Sequence, residues 1–224
     1  MYWTERRERM RALLAGDKCV HPGSVYDAVS ARIAEDLGFE VGMFAGSIGS
    51  LSVLGAPDLI TLTLTEFAAQ AYRICRAGNL ALLVDADHGY GNALNVMRTV
   101  EELETAGVAG LSIEDTLLPR AFGPSDKAQL LSVEEGTGKM KAALAGRRDP
   151  ALVIAGRTSA PLLSSVEDAI ARATAYEAVG VDAIFLVGIK SKEQLEAISR
   201  ATSKPLILGT APASMMDQIG RAHV

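Results

Sequence analysis

Short apolar runs alternate with amphipathic segments along this chain, at intervals of roughly 25 to 35 residues. The apolar runs predict seven strands, at residues 18–21, 41–45, 81–84, 110–113, 152–155, 183–187 and 206–208. The amphipathic segments predict a leading helix at 4–14 and further helices at 24–37, 65–77, 92–106, 132–145, 166–179 and 192–201. Two segments, 46–57 and 116–131, show neither periodicity and are predicted to be long loops. This alternation is typical of a parallel sheet covered by helices.

Seven units in one direction favour a closed α/β barrel, the (β/α)8 TIM barrel, over a doubly wound sheet. No GxGxxG motif follows the first strand, as a dinucleotide-binding sheet would require. An eighth unit is absent from the sequence, so we expect a barrel truncated after strand 7, which leaves two unpaired edges.

The end of the chain suggests a reason for the missing unit. Residues 219–224, IGRAHV, can be encoded by a widely used sequencing-adapter read. We therefore expect one barrel domain at residues 1–218 that lacks its C-terminal unit, followed by a non-native tail at 219–224. A natural tail is the alternative.

Composition narrows the class of protein. The chain has 224 residues, 49% of them hydrophobic, which is ample for one large core. A net charge of −5 argues against a nucleic-acid partner, and the one basic cluster, at 6–11, alternates with glutamates and is expected to form a solvated helix face. No run is long enough to span a membrane and the N-terminus is charged, so we expect a cytoplasmic protein without a membrane partner. Its two cysteines, Cys19 and Cys75, are expected to be buried free thiols.

Carboxylates follow two neighbouring strands of the predicted sheet. Asp85 and Asp87 come after strand 3, where alternation would place them on one face about 7 Å apart, and Glu114 comes after strand 4. Carboxyl ends of barrel strands converge on one face, and clustered carboxylates repel one another unless a divalent cation neutralises them. Oxygen ligands favour Mg²⁺ or Mn²⁺ over zinc. The sequence therefore predicts a metal site here, with helix capping as the alternative for Asp85 and Asp87.

Other polar residues are candidates for binding a substrate. Arg157, just past strand 5, offers a planar fork for a carboxylate, with an ion pair to Glu114 as the alternative. The segment 46–50, which contains Ser47 and Ile48, offers N–H groups and hydroxyls for an anionic oxygen. His88 either lies behind the metal ligands or orients a carboxylate.

Together these motifs resemble the isocitrate lyase and phosphoenolpyruvate mutase superfamily. The motifs are DADHGYGN at 85–92, Gly46-Ser47 after strand 2, Ile113-Glu114-Asp115 after strand 4 and Arg157-Thr158 after strand 5. The longer stretches at 85–100 and 113–119 are similar to the oxaloacetate decarboxylase branch. Lyase branches carry a cysteine acid after strand 4, whereas residues 116–125 contain no cysteine.

The resemblance implies Mg²⁺-dependent decarboxylation of oxaloacetate to pyruvate and CO₂ through a metal-stabilised enolate, by an enzyme that is a homotetramer at full length. It implies that Asp85 binds the ion directly while Asp87, Glu114 and Asp58 hold its water ligands. Ser47 and Ile48 would contact the 2-oxo acid and Arg157 a carboxylate. The residues implied to surround this set are His88, Tyr90 and Asn92. Open alternatives are a carbon–carbon lyase or hydrolase of the same superfamily, such as a methylisocitrate lyase, and a non-catalytic oxoacid-binding fragment.

Overall fold

Seven parallel strands form one sheet in which each strand pairs with the next along the chain. The computed structural model describes residues 3–120 and 127–215. The strands are β1 (Gly23–Ser24), β2 (Val41–Phe44), β3 (Ala81–Asp85), β4 (Gly110–Glu114), β5 (Val153–Thr158), β6 (Ala183–Leu186) and β7 (Leu206–Leu208). The sheet curls into an incomplete barrel with helices outside, which confirms the predicted α/β barrel architecture. The predicted tail, 219–224, lies outside the described residues.

Helices connect successive strands, as parallel pairing requires, and one further helix precedes β1. They are α1 (Thr4–Ala15), α2 (Ala28–Asp36), α3 (Gly46–Gly49), α4 (Leu64–Ala77), α5 (Ala93–Ala106), α6 (Val133–Gly146), α7 (Ala160–Leu163), α8 (Val166–Val179) and α9 (Lys192–Arg200). Several begin at a side-chain cap; for example, Asn92 Oδ1 accepts hydrogen bonds from the backbone N–H groups of Leu94 and Asn95 at the start of α5.

Three predicted elements were wrong in position or type. The first strand was expected at 18–21, but β1 is Gly23–Ser24, because Lys18 and His21 are exposed polar residues that offer the sheet no apolar face. The next helix begins at Ala28 rather than residue 24, because the Asp27 carboxylate accepts the Ser30 N–H at 2.7 Å and caps it there. The predicted loop at 46–57 contains α3 and a π-helical turn, Ser50–Leu54, both too short to show a helical periodicity.

The N-terminal end of the barrel is closed by α1. Met10 of this helix packs inside the barrel against Val41, Leu83 and Val153, whereas the larger core lies between the sheet and the outer helices. The predicted solvated basic face was wrong, because Arg6 and Arg7 are buried. Arg6 donates to the carbonyls of Cys75 and Gly78 at the end of α4.

Further expectations are corrected or limited by the structure. Cys75 is buried as predicted, but Cys19 is exposed, because it lies in the polar segment before β1 and not in a strand. Within 116–131, Thr116 and Leu130 form an antiparallel bridge, and residues 121–126 lie outside the described part. None of the described helices is both long and apolar enough to cross a membrane.

Candidate active site

Three charged side chains meet at the carboxyl ends of neighbouring strands. Asp85 is the last residue of β3, Glu114 the last of β4, and Arg157 lies inside β5 directly opposite Glu114. Arg157 was expected just past its strand, but β5 continues to Thr158, because the paired register holds these residues against Phe185 and Leu186 of β6. The strand-end placement brings these side chains into one cluster.

Arg157 bridges the two carboxylates. Its Nη1 forms an ion pair with Asp85, and its Nη2 lies 3.3 Å from Glu114 Oε2, so the ion pair that the sequence left open is present. Burial alone would lower the pKa of Arg157, but the charges of Asp85 and Glu114 outweigh burial and raise it. The guanidinium therefore stays charged. Its Nε atom is buried and has no hydrogen-bond partner among the described residues.

Asp85 is held from two further directions. Its Oδ1 accepts hydrogen bonds of 3.2 Å from the hydroxyl of Ser112, on β4, and from the backbone N–H of Asp87. Ser112 was not among the site residues predicted from the sequence. Its spacing of two from Glu114 within β4 was the available signal, because alternate residues of a strand face the same side. These contacts fix Asp85 at the centre of the cluster.

Asp87 lies in a tight turn and not in a continuing strand. Its φ is +47°, in the left-handed region, so the expected strand alternation with Asp85 is wrong at this point. Its carboxylate also packs against Gly46, where a Cβ atom would lie 2.6 Å from Asp87 Oδ1. Burial and the neighbouring charges of Asp85, Glu114 and Asp58 raise the pKa of Asp87 to about 8. The neighbouring carboxylates therefore oppose the ionisation of Asp87 more strongly than Arg157 favours it.

Glu114 and Asp58 border the cluster on different sides. Glu114 is buried and accepts a 3.0 Å hydrogen bond from Thr116 Oγ1, and burial raises its pKa despite the opposing charge of Arg157. Asp58 is an exposed residue of the segment after the π-helical turn. Partial burial of its carboxyl group, and then the charge of Asp85, raise its pKa. Asp58 is thus close enough to Asp85 for the two carboxylates to repel.

The remaining selected residues have diverse surroundings. Ser47 is exposed and Ile48 half-buried in α3, which begins beside Asp87 at Gly46. Asn92 uses its side chain to cap α5, so in this structure its carboxamide serves the helix.

The two aromatic members of the motif are His88 and Tyr90. His88 is buried, and burial together with the charge of Lys139 lowers its pKa to about 4, so the imidazole is neutral at physiological pH. The Tyr90 hydroxyl is buried, and burial and then the Asp87 charge raise its pKa. Neither His88 Nδ1 nor the Tyr90 hydroxyl finds a hydrogen-bond partner in the described part of the chain.

A second cluster of buried charged groups lies next to the site, on the side of the helix layer. Asp115 Oδ2 accepts hydrogen bonds from Arg172 Nη1 at 2.9 Å and from the Tyr176 hydroxyl at 2.6 Å. Asp115 follows Glu114, and adjacent residues at a strand end point to opposite sides. The carboxylates of Glu114 and Asp115 therefore lie on opposite sides of the sheet, one toward the barrel interior and one toward the helix layer, a division that the sequence motif did not indicate.

The donor set fits a divalent cation. The carboxylates of Asp58, Asp85, Asp87 and Glu114 lie around the Arg157 guanidinium, and Arg120 also acts on Asp58. Burial and then the charges of the other three carboxylates raise the pKa of Asp87. Oxygen donors of this kind suit Mg²⁺ or Mn²⁺. Within residues 3–120 and 127–215, no three Asp, Glu, His or Cys side chains are arranged to ligate one ion together. The carboxylates therefore suit an ion that keeps several water ligands, as Mg²⁺ does.

The chain is similar in sequence and in structure to several named enzymes. The chain is 63% identical over 215 residues to a Bradyrhizobium diazoefficiens protein named oxaloacetate decarboxylase; the match covers 96% of this chain and 74% of that protein. It superposes on oxaloacetate acetylhydrolase bound to 3,3-difluorooxalacetate with a TM-score of 0.85 and 30% identity, over 97% of this chain and 78% of the other. It also superposes on phosphonopyruvate hydrolase bound to oxalate and Mg²⁺ with a TM-score of 0.83 and 27% identity, over 98% and 78%.

A family model supports the same grouping. The model described as phosphoenolpyruvate phosphomutase matches residues 10–223. The resemblance inferred from the strand-end motifs is thereby confirmed. The chain belongs to the phosphoenolpyruvate phosphomutase family.

Proposed function

We propose that this chain catalyses the Mg²⁺- or Mn²⁺-dependent decarboxylation of oxaloacetate to pyruvate and CO₂. The observation that carries the proposal is the cluster of Asp85, Asp87 and Glu114 around Arg157, in a chain 63% identical to a protein named oxaloacetate decarboxylase. The excess of carboxylates supports a cation, and a 2-oxo acid presents the oxygens that such a cation binds.

The proposal assigns Asp85 as the direct metal ligand and Asp87, Glu114 and Asp58 as acceptors for its water ligands. When bound, the cation supplies Lewis-acid stabilisation of the negative charge that develops on the substrate as CO₂ leaves. The protein holds its carboxylates in place through fixed contacts such as that between Asp85 and Ser112. This reduces the reorganisation needed during the reaction.

Arg157 and α3 are assigned to the substrate. Asp85 and Glu114 each contact one nitrogen of Arg157, and a guanidinium has five N–H donors, so donors remain for a substrate carboxylate. The exposed Ser47 and the backbone of Ile48, in the helix that begins beside Asp87, are assigned to the oxoacid end. His88, Tyr90 and Asn92 are assigned to surrounding positions.

The cysteine content supports decarboxylation over carbon–carbon cleavage. A lyase must protonate a departing carbanion with a positioned acid, whereas decarboxylation releases CO₂ and needs stabilisation of the remaining charge. The two cysteines of the chain are at 19 and 75, so the segment after β4 offers no thiol acid.

The proposal is tested by measuring pyruvate formation from oxaloacetate. Metal ions alone decarboxylate this substrate, so the rate is compared with metal in buffer. We expect a rate above that background, lost with EDTA and with Asp85→Ala. The matched control is Asp17→Ala, which removes an exposed aspartate and should keep the wild-type rate. Equal rates for Asp85→Ala and wild type would reject the proposal.

Hydrolysis is a second candidate, favoured by the structural similarity to oxaloacetate acetylhydrolase. Product analysis separates the two, since hydrolysis yields oxalate and acetate whereas decarboxylation yields pyruvate. Methylisocitrate, dimethylmalate and phosphonopyruvate test the other carbon–carbon and carbon–phosphorus cleavages of the superfamily. A non-catalytic oxoacid-binding chain would bind oxalate without converting any of these substrates.

We also propose that the protein acts in the cytoplasm as a homotetramer when full length. The basis is the superfamily resemblance and the absence of any membrane-spanning helix among the described residues. Light scattering coupled to size-exclusion chromatography measures the mass directly. For the full-length protein, a monomer at micromolar concentration would contradict the proposed assembly.

A further inference from the structure

The turn that follows β3, at residues 86–92, receives hydrogen bonds from three other elements of the fold. Three successive carbonyls in this turn each accept a hydrogen bond from a different part of the fold. The bonds are Glu114 N to Asp87 O at 2.8 Å, Lys139 Nζ to His88 O at 2.8 Å and Thr99 Oγ1 to Gly89 O at 3.0 Å. The donors come from β4, α6 and α5 respectively. The orientation of the turn is therefore set by side chains and backbone outside it.

The turn needs such anchors because its backbone is strained. Asp87 and Tyr90 have φ values of +47° and +59°, a region that side-chain-bearing residues rarely adopt. Such conformations persist only where the surroundings determine them. In this turn the strained residues also contribute the Asp87 carboxylate and the Tyr90 hydroxyl to the acidic cluster.

Lys139 is the least expected of the three donors. It lies on the buried face of α6, and only 5% of its surface is exposed. Burial lowers its pKa, opposed by the charges of Glu135, Glu114 and Asp115. Burying an ammonium group is costly, and a methionine of similar length would fill the space without that cost. Lys141, two residues along the same helix, is exposed and provides a matched comparison for the buried Lys139.

We propose that Lys139 is a positioning residue whose ammonium group fixes the His88 carbonyl and thereby holds Asp87 in place to serve the metal ion. Without this bond the His88–Gly89 peptide keeps only the hydrogen bond from the Gly89 N–H group to the Ala86 carbonyl, at 2.9 Å, and the strained conformation of Asp87 loses one of its determinants. The consequence for metal binding rests on the proposed function, whereas the anchoring of the turn does not.

The test compares Lys139→Met with Lys141→Met, the same substitution at an exposed site of the same helix. The first readout is amide hydrogen exchange in peptides that cover residues 86–92. The second is Mn²⁺ affinity, measured by titration calorimetry or by the signal of free Mn²⁺. For Lys139→Met we expect faster exchange in the turn and a Mn²⁺ dissociation constant that rises about 10- to 100-fold, the range for groups that orient metal ligands. Lys141→Met should match wild type in both.

A loss of global stability must be told apart from a loss of positioning. Arg11→Met serves this purpose, because it removes contacts to the Ala151 and Leu152 carbonyls and to the Asp182 carboxylate at the opposite end of the barrel. Asp182 still pairs with Arg147 in this variant. This variant should lower the melting temperature and leave both readouts unchanged. Lys139→Gln keeps a neutral donor one atom shorter, and we expect it to retain part of the Mn²⁺ affinity that Lys139→Met loses. If Lys139→Met does not fold, Lys139→Gln is compared directly with wild type.

The outcomes are distinct. Wild-type exchange rates in the turn of a folded Lys139 variant would overturn the inference, whatever the enzyme does. Faster amide exchange in the turn with unchanged Mn²⁺ affinity would overturn the inference that Lys139 positions Asp87 for the metal ion. Absence of pyruvate formation by the wild type would reject the proposed function, and the exchange measurement would still decide the role of Lys139.

Discussion

Arg157 and Glu114 are paired twice, once through the sheet and once through their side chains. Their Cα atoms are partners in the parallel register of β4 and β5, and Arg157 Nη2 lies 3.3 Å from Glu114 Oε2. The register therefore places the guanidinium where it also reaches Asp85, at the end of β3 on the other side of β4. This pairing and the pairing of Asp85 with Ser112 between β3 and β4 together fix the relative position of all three charges.

Replacement of Arg157 tests this arrangement. Arg157→Met leaves Asp85 and Glu114 as buried carboxylates without a counter-charge, so we expect the free energy of unfolding without metal to fall by about 3–5 kcal/mol. Because a bound cation would restore positive charge, added Mg²⁺ should recover part of the loss. Urea denaturation with and without Mg²⁺ measures both effects.

The control for charge alone is Arg157→Lys. A lysine keeps the positive charge but presents one ammonium in place of a planar fork, so it cannot bridge two carboxylates and bind a substrate carboxylate equally well. We expect smaller destabilisation than for methionine, together with a decrease of kcat/KM of about 100-fold, which corresponds to about 2.7 kcal/mol. Wild-type kcat/KM in Arg157→Lys would show that fork geometry is unimportant.

The sequence predicted this cluster because strand ends follow a simple rule. Hydrophobic runs located β3, β4 and β5, and the convergence of barrel strands at one end brought Asp85, Glu114 and Arg157 together. The conformation of Asp87 could not be predicted in this way. It depends on a turn that other elements hold in the left-handed region, and strand alternation does not extend into such a turn.

The sequence patterns did not predict which basic side chains are buried. Lys139 and Lys141 belong to one helix and look alike in sequence, yet one is buried and the other exposed. Arg6 and Arg7 alternate with glutamates and resemble a solvated face. Their partners are backbone carbonyls and, for Arg7, the Asp149 carboxylate, which come together only in the folded barrel. Local patterns do not contain these long-range acceptors.

The buried position of Arg7 predicts a large effect on stability. Arg7 donates to the carbonyls of Val108 and Glu104 and forms an ion pair with Asp149 at 2.7 Å. Arg7→Met removes all of these donors, and we expect the free energy of unfolding to fall by about 3–5 kcal/mol. Arg98→Met is the control, since Arg98 is exposed and pairs only within α5 with Glu102 among the contacts described; it should change stability by about 0.5 kcal/mol or less. Equal denaturation midpoints for the two variants would contradict the role of Arg7.

The two cysteines should differ in reactivity. Burial raises the pKa of the Cys75 thiol to about 11, whereas Cys19 is exposed. At pH 8 we expect iodoacetamide to label Cys19 in the native protein and both residues in denaturant, as read by mass spectrometry. Above the usual pKa near 9, the unfolded Cys75 ionises while the folded thiol stays neutral until about pH 11. This stabilising contribution is therefore present below pH 9 and is lost as the pH rises toward 11. Rapid native labelling of Cys75 at pH 8 would contradict its burial.

Two glycines, one at the candidate site and one within α6, allow effects on metal binding to be compared with effects on stability. A Cβ atom at Gly46 would lie 2.6 Å from Asp87 Oδ1, whereas a Cβ atom at Gly138, within α6, meets nothing within 4 Å. Gly46→Ala must displace the Asp87 carboxylate, so we expect Mn²⁺ affinity to fall by about 10-fold or more. Gly138→Ala gains helix propensity without a clash and should raise the free energy of unfolding by about 0.5–1 kcal/mol, with unchanged Mn²⁺ affinity. Calorimetric Mn²⁺ titration and urea denaturation of both variants measure these effects. If Gly46→Ala bound Mn²⁺ as wild type does, the contact between α3 and Asp87 would have no part in holding the ion.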